Sequence, residues 1–256
     1  MGKVHLTISD GIAAILIDRP AARNAMTWPM YEALAAICNQ IAADRSVKVA
    51  TFRGAGGEAF VAGTDIEQFV DFKGADAGVA YEKTIDEIVG LIESLPMPTI
   101  AIVEGWAIGG GLAICTACDF RVATPDSSFG VPIARTLGNC LSMANTARLV
   151  AAFGVPRAKR MLLLAETISA SEAESFDFVT EIAEPSELEA TVARLCKRLS
   201  GHAAVTMRVS KEAIRRVVQE GLPQGEDLIR AAYGSADFKI GVDSFMQKKR
   251  PEWTGA

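Results

Sequence analysis

The sequence has no excess of positive charge and no long hydrophobic run, and each shortage excludes a class of protein. Its 256 residues contain 26 Lys and Arg against 31 Asp and Glu, which gives a formal net charge of −5. Nucleic-acid binding draws on clustered Lys and Arg, so a polyanion is not expected as the main ligand. The apolar stretches are too short, or too interrupted by glycine, to cross a bilayer. We therefore expect neither a nucleic-acid partner nor a membrane-spanning protein.

Cysteine and histidine are also scarce. The five cysteines are an odd number in apolar surroundings, which favours buried free thiols and a reducing compartment. Cys115 and Cys118 form a CxxC pair, but the only histidines are His5 and His202, and zinc needs about four ligands. We predict no metal site and no redox role for the pair. Met1 leads directly into a strand pattern without a leader, so a cytoplasmic location is expected.

Hydrophobic periodicity organises the chain into alternating strands and helices. Asp10-Gly11 between two apolar-alternating segments predicts a hairpin of strands 4–9 and 12–17. Thr27 precedes apolar residues at helical spacing from Met30 to Ile41, which predicts a capped helix. Further strands are predicted at 47–52, 99–103 and 120–124, a loop through Phe129, and helices at 80–95, 110–117, 142–153 and 156–164.

Beyond residue 184 the signals are helical only. Ser186 is the predicted cap of one helix, and later helices are predicted at 204–220, 225–233 and 236–248. The alternation upstream predicts an α/β core with buried and mostly parallel strands. A chain of this length and 50% hydrophobic content is large enough to bury one such core. The residues from about 200 onward are predicted to form a helical appendage.

Gly109-Gly110-Gly111 stands where a predicted strand ends and a helix begins. Glycines at a helix N-terminus leave unpaired N–H groups open to an anion or a polarised carbonyl. No Gly-Lys-Ser/Thr follows, and the glycines are contiguous, so neither a phosphate loop nor a dinucleotide fingerprint fits. Close packing of the helix against its neighbours is the structural alternative.

A second predicted helix start lies at Ala62-Gly63-Thr64-Asp65-Ile66. Thr64 or Asp65 is suited to cap a short helix that runs through Phe69. Capping is favoured over a catalytic-base role for Asp65. The two segments together suggest a pair of backbone donors that hold one oxygen atom.

Several short motifs are spread over nearly the whole chain, and together they are more specific than any one of them. They are residues 59–66 (Ala-Phe-Val-Ala-Gly-Thr-Asp-Ile), residues 105–111 (Gly-Trp-Ala-Ile-Gly-Gly-Gly), Cys118-Asp119, Arg19-Pro20, Asn24-Ala25 and a C-terminal Lys-Arg-Pro-Glu-Trp at 249–253. In this combination the sequence resembles the enoyl-CoA hydratase/isomerase (crotonase) superfamily. The resemblance implies a spiral of strand-strand-helix repeats at 1–200 that carries an acyl-CoA site, and a helical region at 201–256. It also implies a homotrimer or a dimer of trimers.

The same resemblance implies a coenzyme A thioester as substrate, with no separate cofactor. Its carbonyl oxygen would accept hydrogen bonds from the backbone N–H groups of Thr64 and Gly110. The positions implied to contact the substrate or its CoA part are Arg23, Ala25, Ala62, Asp65, Ile66, Ala113, Ile133, Phe245 and Lys248. For Lys248 a solvated cation at a helix end is an equal alternative. Such an oxyanion hole stabilises a thioester enolate, and each donor contributes roughly 10²–10³ in rate.

Two positions depart from the hydratase pattern of that superfamily. Where its hydrating members carry two glutamates, this chain has Ala113 and Ile133, neither of which is titratable. A positioned acid or base contributes roughly 10²–10⁴ in rate, so the usual two-glutamate hydration is in doubt. Candidate substitutes in the following loop are Arg135, Asn139, Cys140, Ser142 and Asn145, each with a structural alternative such as a cap, a turn, a surface cation or packing.

Acidic side chains elsewhere are further candidates. Glu82, Asp86 and Glu87 lie on the preceding helix and Asp65 and Glu67 on the short one, and a solvated helix face is the favoured interpretation for each. The leading hypothesis is an acyl-CoA enzyme of the hydratase, lyase or isomerase type in fatty acid metabolism. A different enolate reaction (decarboxylation, double-bond migration or thioester hydrolysis) and an acyl-CoA-binding protein with little turnover remain alternatives.

Overall fold

The computed structural model describes residues 2–222 and 225–254, and the outermost predicted positions, Met1 and Ala256, lie outside the described residues. The strands are β1 Lys3–Ser9, β2 Ile12–Asp18, β3 Val49–Gly54, β4 Ala59–Val61, β5 Thr99–Val103, β6 Trp106–Ile108, β7 Phe120–Ala123, β8 Ser128–Gly130, β9 Thr167–Ser169 and β10 Glu181–Ile182. The helices are α1 Trp28–Ala43, α2 Ala75–Glu93, α3 Gly110–Ala117, α4 Ile133–Thr136, α5 Met143–Leu163, α6 Ala170–Glu174, α7 Leu188–Ser200, α8 Ala204–Gln219, α9 Glu226–Tyr233 and α10 Ala236–Met246. Single 3-10 turns occupy Pro20–Ala22 and Ile66–Phe69.

The predicted hairpin is confirmed. β1 and β2 pair antiparallel, with Ser9 opposite Ile12. Asp10 and Gly11 between them have φ values of 52° and 78°, which is the left-handed conformation that a type I′ turn requires. The dipeptide therefore sets the register of the first two strands.

The larger sheet confirms a mostly parallel α/β core. Its strand order is β1-β2-β3-β5-β7-β10, and every pair after the hairpin is parallel. All five residues of β5, Thr99–Val103, are buried, as expected for a strand covered on both faces. β5 and α3 begin and end at the predicted residues.

A smaller sheet, β4-β6-β8-β9, corrects the predicted loop through Phe129. Phe129 lies in the three-residue strand β8, which pairs with β6 on one side and β9 on the other. Three residues are too few to show an alternation in the sequence, so only the tertiary pairing reveals this strand. The sheet positions the loops that follow β4 and β6 side by side, and these loops carry the glycine segments.

The helices follow the predicted periodicity, with two corrections. The periodic residues Met30, Leu34, Ile37 and Ile41 of α1 are buried, and Gly154, with a positive φ, interrupts α5 between the two predicted helices. α2 begins at Ala75, earlier than predicted. Ser186 does not cap α7, because that helix begins two residues further on and Glu187 takes the cap position.

The C-terminal region is helical, as predicted. α9 and α10 add Ile229, Tyr233 and Phe238 to the main hydrophobic core, whereas α8 has no buried residue. The division near residue 200 and the trimer remain predictions. None of the described helices is long and apolar enough to span a membrane.

Candidate active site

The loop after β4 holds Thr64 by hydrogen bonds on either side of it. The Met26 N–H donates to the Gly63 carbonyl and the Asp65 N–H donates to the Met26 carbonyl, both at 2.8 Å. Asp65 then caps the 3-10 turn by accepting from the Glu67 N–H, and it pairs with Arg19 at 2.7 Å. The predicted capping role of Asp65 is confirmed. Within the described residues the Thr64 N–H has no acceptor.

The loop after β6 presents the Gly110 N–H in the same way. Gly109 has a φ of 55° and donates its own N–H to Gly130 at 2.9 Å. Gly110 is the first residue of α3, where backbone N–H groups have no partner within the helix. A Cβ on Gly111 would lie 2.0 Å from the Val61 carbonyl oxygen, so this glycine also serves close packing.

The two free N–H groups lie side by side. A Cβ built on Gly110 would be 3.7 Å from the Thr64 nitrogen, and a Cβ built on Gly63 would be 3.9 Å from the Gly110 nitrogen. Two adjacent backbone donors, one of them at the positive end of a helix dipole, are arranged to receive one oxygen that gains negative charge.

A pocket of about 90 Å³ opens at these donors. It is lined by Ala62, Gly63, Thr64, Ile66, Phe69, Tyr81, Ile108, Gly109, Gly110, Pro132, Ile133, Thr136, Leu137 and Asn139. None of these described residues carries a carboxylate. Ile133 is part of the wall, whereas Ala113 is half-buried on α3 and packs against the core.

Three hydroxyls meet beneath the donors. The Thr64 Oγ1 lies 2.8 Å from the Tyr31 hydroxyl and 2.8 Å from the Tyr81 hydroxyl. Burial raises the pKa of both tyrosines above their usual value near 10. The sequence reasoning missed both residues, because their shared contact spans 33 and 17 positions along the chain and no local pattern encodes it.

Asn139 joins the pocket to a buried acid. Its Nδ2 donates to the Tyr233 hydroxyl at 3.0 Å, and that hydroxyl donates to Glu82 Oε1 at 2.6 Å. The other Glu82 oxygen accepts from the Ser142 N–H at 2.9 Å. The Asn139 Oδ1 is buried without a hydrogen-bond partner among the described residues.

The prediction that the acidic residues of α2 lie on a solvated face is only partly correct. Glu87 is exposed, Asp86 is half-buried and accepts from the Ser142 hydroxyl at 2.6 Å, and Glu82 is only 3% exposed. Glu82 is buried because α9 covers this flank of α2 with Tyr233. Desolvation raises the pKa of Glu82 to about 7. Neither Glu82 nor Asp86 lines the pocket directly.

Other predicted candidates lie away from the chemistry. Arg135 is exposed on α4 and is not among the residues that line the pocket. The Cys140 thiol donates to the Leu228 carbonyl, and burial raises its pKa to about 12, which opposes a nucleophilic thiolate. Ser142 caps α5 by accepting from the Asn145 N–H. Burial raises the pKa of Cys115 and Cys118, and the described residues contain no cluster of His, Cys, Asp and Glu suited to a metal.

The predicted CoA-contacting segments are partly joined. The Ala62 N–H donates to the Arg23 carbonyl at 3.0 Å, which connects the loop at 22–25 to the loop after β4. Arg23 is exposed and left-handed, with a φ of 50°. Phe245 is 51% exposed near the end of α10, and Lys248 is exposed just beyond it.

The α/β fold with two adjacent backbone donors at a small, largely apolar pocket is the basis for comparison with known proteins. Residues 7–256 match the family model described as enoyl-CoA hydratase/isomerase. The chain belongs to this family. It is 31% identical to the short-chain-enoyl-CoA hydratase of Clostridium acetobutylicum, over 98% of this chain and 97% of that protein.

Solved structures agree on the fold. An enoyl-CoA hydratase/carnithine racemase from Magnetospirillum magneticum aligns with a TM-score of 0.81 and 29% identity, covering 100% of this chain and 97% of that one. A methylmalonyl-CoA decarboxylase aligns with a TM-score of 0.90 and 22% identity, covering 99% of each chain. At that identity the second likeness shows the fold alone. The predicted crotonase-like α/β fold is confirmed.

Proposed function

We propose that the protein is an acyl-CoA thioester enzyme that stabilises an enolate with the backbone N–H groups of Thr64 and Gly110. The observation that supports this most strongly is the adjacency of two unpaired N–H groups at one pocket. Removing a proton from the α carbon of a thioester, or adding water to its β carbon, moves charge onto the carbonyl oxygen, where these donors act. The family's curated relatives include enoyl-CoA hydratases.

Binding of the CoA moiety is assigned to the loop that carries Arg23 and Ala25 and to its neighbours Ala62, Asp65 and Ile66. Phe245 and Lys248 would approach the nucleotide from the end of α10, and their exposure leaves them available for such contact. Ala113 and Ile133 would border the acyl chain. We further propose that the protein works in the cytoplasm, in fatty acid metabolism, as a homotrimer or a dimer of trimers.

The reaction is proposed to proceed without the usual pair of glutamates. With Ala113 and Ile133 at those positions, Thr136 and Asn139 are the polar residues of the following segment that line the pocket, and Arg135 has no part in the lining. A wall without carboxylates favours a second candidate reaction, decarboxylation of a malonyl-type thioester. Loss of CO₂ creates the enolate without a base, and no described lining carboxylate repels the substrate's own carboxylate.

The test is a substrate panel. Crotonyl-CoA, a β,γ-unsaturated thioester, saturated acyl-CoA, malonyl-CoA and methylmalonyl-CoA are incubated with the protein and followed by absorbance and mass, while calorimetry measures binding. We expect turnover of a thioester that forms an enolate, with malonyl-type substrates favoured over crotonyl-CoA. Hydration of crotonyl-CoA at ordinary enzyme rates would contradict the proposed loss of the glutamate route. Binding without any turnover would identify an acyl-CoA-binding protein instead.

A further inference from the structure

One side chain in the pocket wall is able to give up a proton. Of the described residues that line the pocket, only Tyr81 has a titratable side chain. Its neighbours in the wall are backbone, apolar side chains, two threonines and Asn139. An enolate formed at this site must be protonated at carbon before a product leaves, so the source of that proton has to reach the pocket.

The three hydroxyls of Tyr31, Thr64 and Tyr81 have one proton more than the hydrogen bonds among them require. Tyr31, Thr64 and Tyr81 carry three hydroxyl protons, but the two contacts centred on Thr64 consume only two of them. If Tyr31 carried the remaining proton, that proton would lie in the core without an acceptor, since Tyr31 is 1% exposed. Thr64 and Tyr81 both line the pocket, so on either of them the free proton lies next to the space that an acceptor can enter. An unsatisfied buried donor is costly, so the polarity that points toward the pocket is favoured.

Aromatic packing fixes the Tyr81 ring. Phe69 packs edge-on to it at a centroid distance of 4.9 Å, Trp28 lies at 5.7 Å and Tyr233 at 6.0 Å. These contacts leave the hydroxyl at one place, 2.8 Å from Thr64 Oγ1 and beside the residue that supplies an oxyanion donor. A catalytic group held in this manner needs little reorganisation during the reaction.

We propose that the Tyr81 hydroxyl is the catalytic acid, which donates its proton to the α carbon of the thioester enolate held by Thr64 and Gly110. The O–H bond of Tyr81 breaks and a C–H bond forms at the α carbon. The enolate electron pair becomes that C–H bond, and the negative charge passes to the phenolate, which accepts from Thr64 Oγ1 until solvent restores its proton. The inference rests on the proposed function and adds the residue that completes the reaction.

The surroundings suit an acid rather than a base. Burial raises the pKa of Tyr81 well above 10, negative charge on Tyr31 or Glu82 would raise it further, and the hydrogen bond with Thr64 lowers it in part. The side chain is therefore neutral and protonated at physiological pH. An enolate carbon is a far stronger base than a phenolate, so the transfer is downhill once the enolate has formed.

The experiment compares Tyr81→Phe with Tyr31→Phe in the full chain. Both variants remove one hydroxyl from the same Thr64 oxygen, but only Tyr81 lines the pocket. For Tyr81→Phe we expect kcat to fall about 10²–10⁴-fold with KM little changed, and for Tyr31→Phe a loss below tenfold. A purely structural role would reduce both variants alike.

Deuterium adds a readout that packing does not affect. Methylmalonyl-CoA turned over in D₂O yields propionyl-CoA labelled at the α carbon, and crotonyl-CoA would yield a product labelled at C2. The wild type should give one configuration and Tyr81→Phe a mixture, because solvent then protonates the enolate from either face. A single configuration from Tyr81→Phe, or a kcat within threefold of the wild type, would overturn the role of Tyr81 while the proposed function stands. Failure of the wild type to turn over any thioester would overturn both.

Discussion

Two concave regions within the described residues differ greatly in size, and the smaller one contains the two free backbone N–H groups. A groove of about 890 Å³ runs between the end of α3 and helices α5, α7 and α8. Two of its largely buried cations are paired with carboxylates: Arg148 with Glu93 at 2.9 Å and Lys211 with Asp119 at 2.7 Å. The pocket of about 90 Å³ instead ends at two backbone N–H groups without acceptors. Unused hydrogen-bonding capacity, rather than volume, distinguishes a site that can receive a substrate oxygen.

We therefore expect the ion pairs of the groove to stabilise the folded state. Arg148 is 6% exposed, and its guanidinium donates to Glu93 and Asn145. Replacing Arg148 with Met leaves a largely buried carboxylate without its cation, so we expect the free energy of unfolding in urea to fall by about 3–5 kcal/mol. Turnover per folded molecule should stay within threefold of the wild type.

The matched control is Arg216→Met, which breaks an exposed pair on α8 where the arginine side chain is 68% exposed. The free energy of unfolding of Arg216→Met should fall by less than about 1 kcal/mol. A loss of kcat in Arg148→Met comparable to that of a pocket variant would assign a functional role to the groove. The distinction between a structural groove and a catalytic pocket would then be wrong.

The pocket's N–H groups should matter for turnover instead. Gly110→Pro deletes one donor at the first position of a helix, where proline is tolerated by the backbone. We expect kcat to fall by about 10²–10³, or more where the ring also displaces the Tyr31 hydroxyl. Steady-state kinetics with the best thioester of the panel, together with urea unfolding, separate catalysis from stability.

Gly110→Ala is the control for crowding. It adds a Cβ at 2.8 Å from the Tyr31 hydroxyl but keeps the N–H. Its loss of kcat should be clearly smaller than that of Gly110→Pro. Equal losses in the two variants would mean that space at this glycine matters and the N–H does not.

The sequence is informative about the backbone half of this pocket and uninformative about the side-chain half. A glycine triplet between a strand and a helix predicts free N–H groups from local rules, and the resemblance to the crotonase superfamily names Thr64 and Gly110 as the two donors. Tyr81 and Tyr31 meet at Thr64 only because α1, α2 and the loop after β4 pack together. Glu82 lies three residues before Ile85 on the apolar face of α2, and solvation is favoured from the sequence only because its side chain is charged. Tyr233 of α9 covers it and donates a hydrogen bond to its carboxylate.

Glu82 offers a final contrast with the groove, because its hydrogen-bond partners are neutral. They are the Tyr233 hydroxyl and the Ser142 N–H, and the adjacent Asp86 repels its charge. Burial raises its pKa from 4.5 to about 7, so the folded state binds the proton more tightly than the unfolded chain. The stabilising effect is complete below pH 4.5 and is lost as the pH rises to 7.

One pKa unit corresponds to about 1.4 kcal/mol, so this loss is about 3 kcal/mol. Glu82→Gln has no proton to release here, and its free energy of unfolding should fall less than that of the wild type between pH 5 and 8. Asp86 is present in both proteins, so the difference between the two pH profiles reports Glu82 together with its repulsion by Asp86. Glu87→Gln, on the exposed side of the same helix, should follow the wild-type pH profile. Parallel profiles for all three proteins would show that burial does not disfavour the charged form of Glu82, and Glu82 would then resemble the paired Arg148 of the groove.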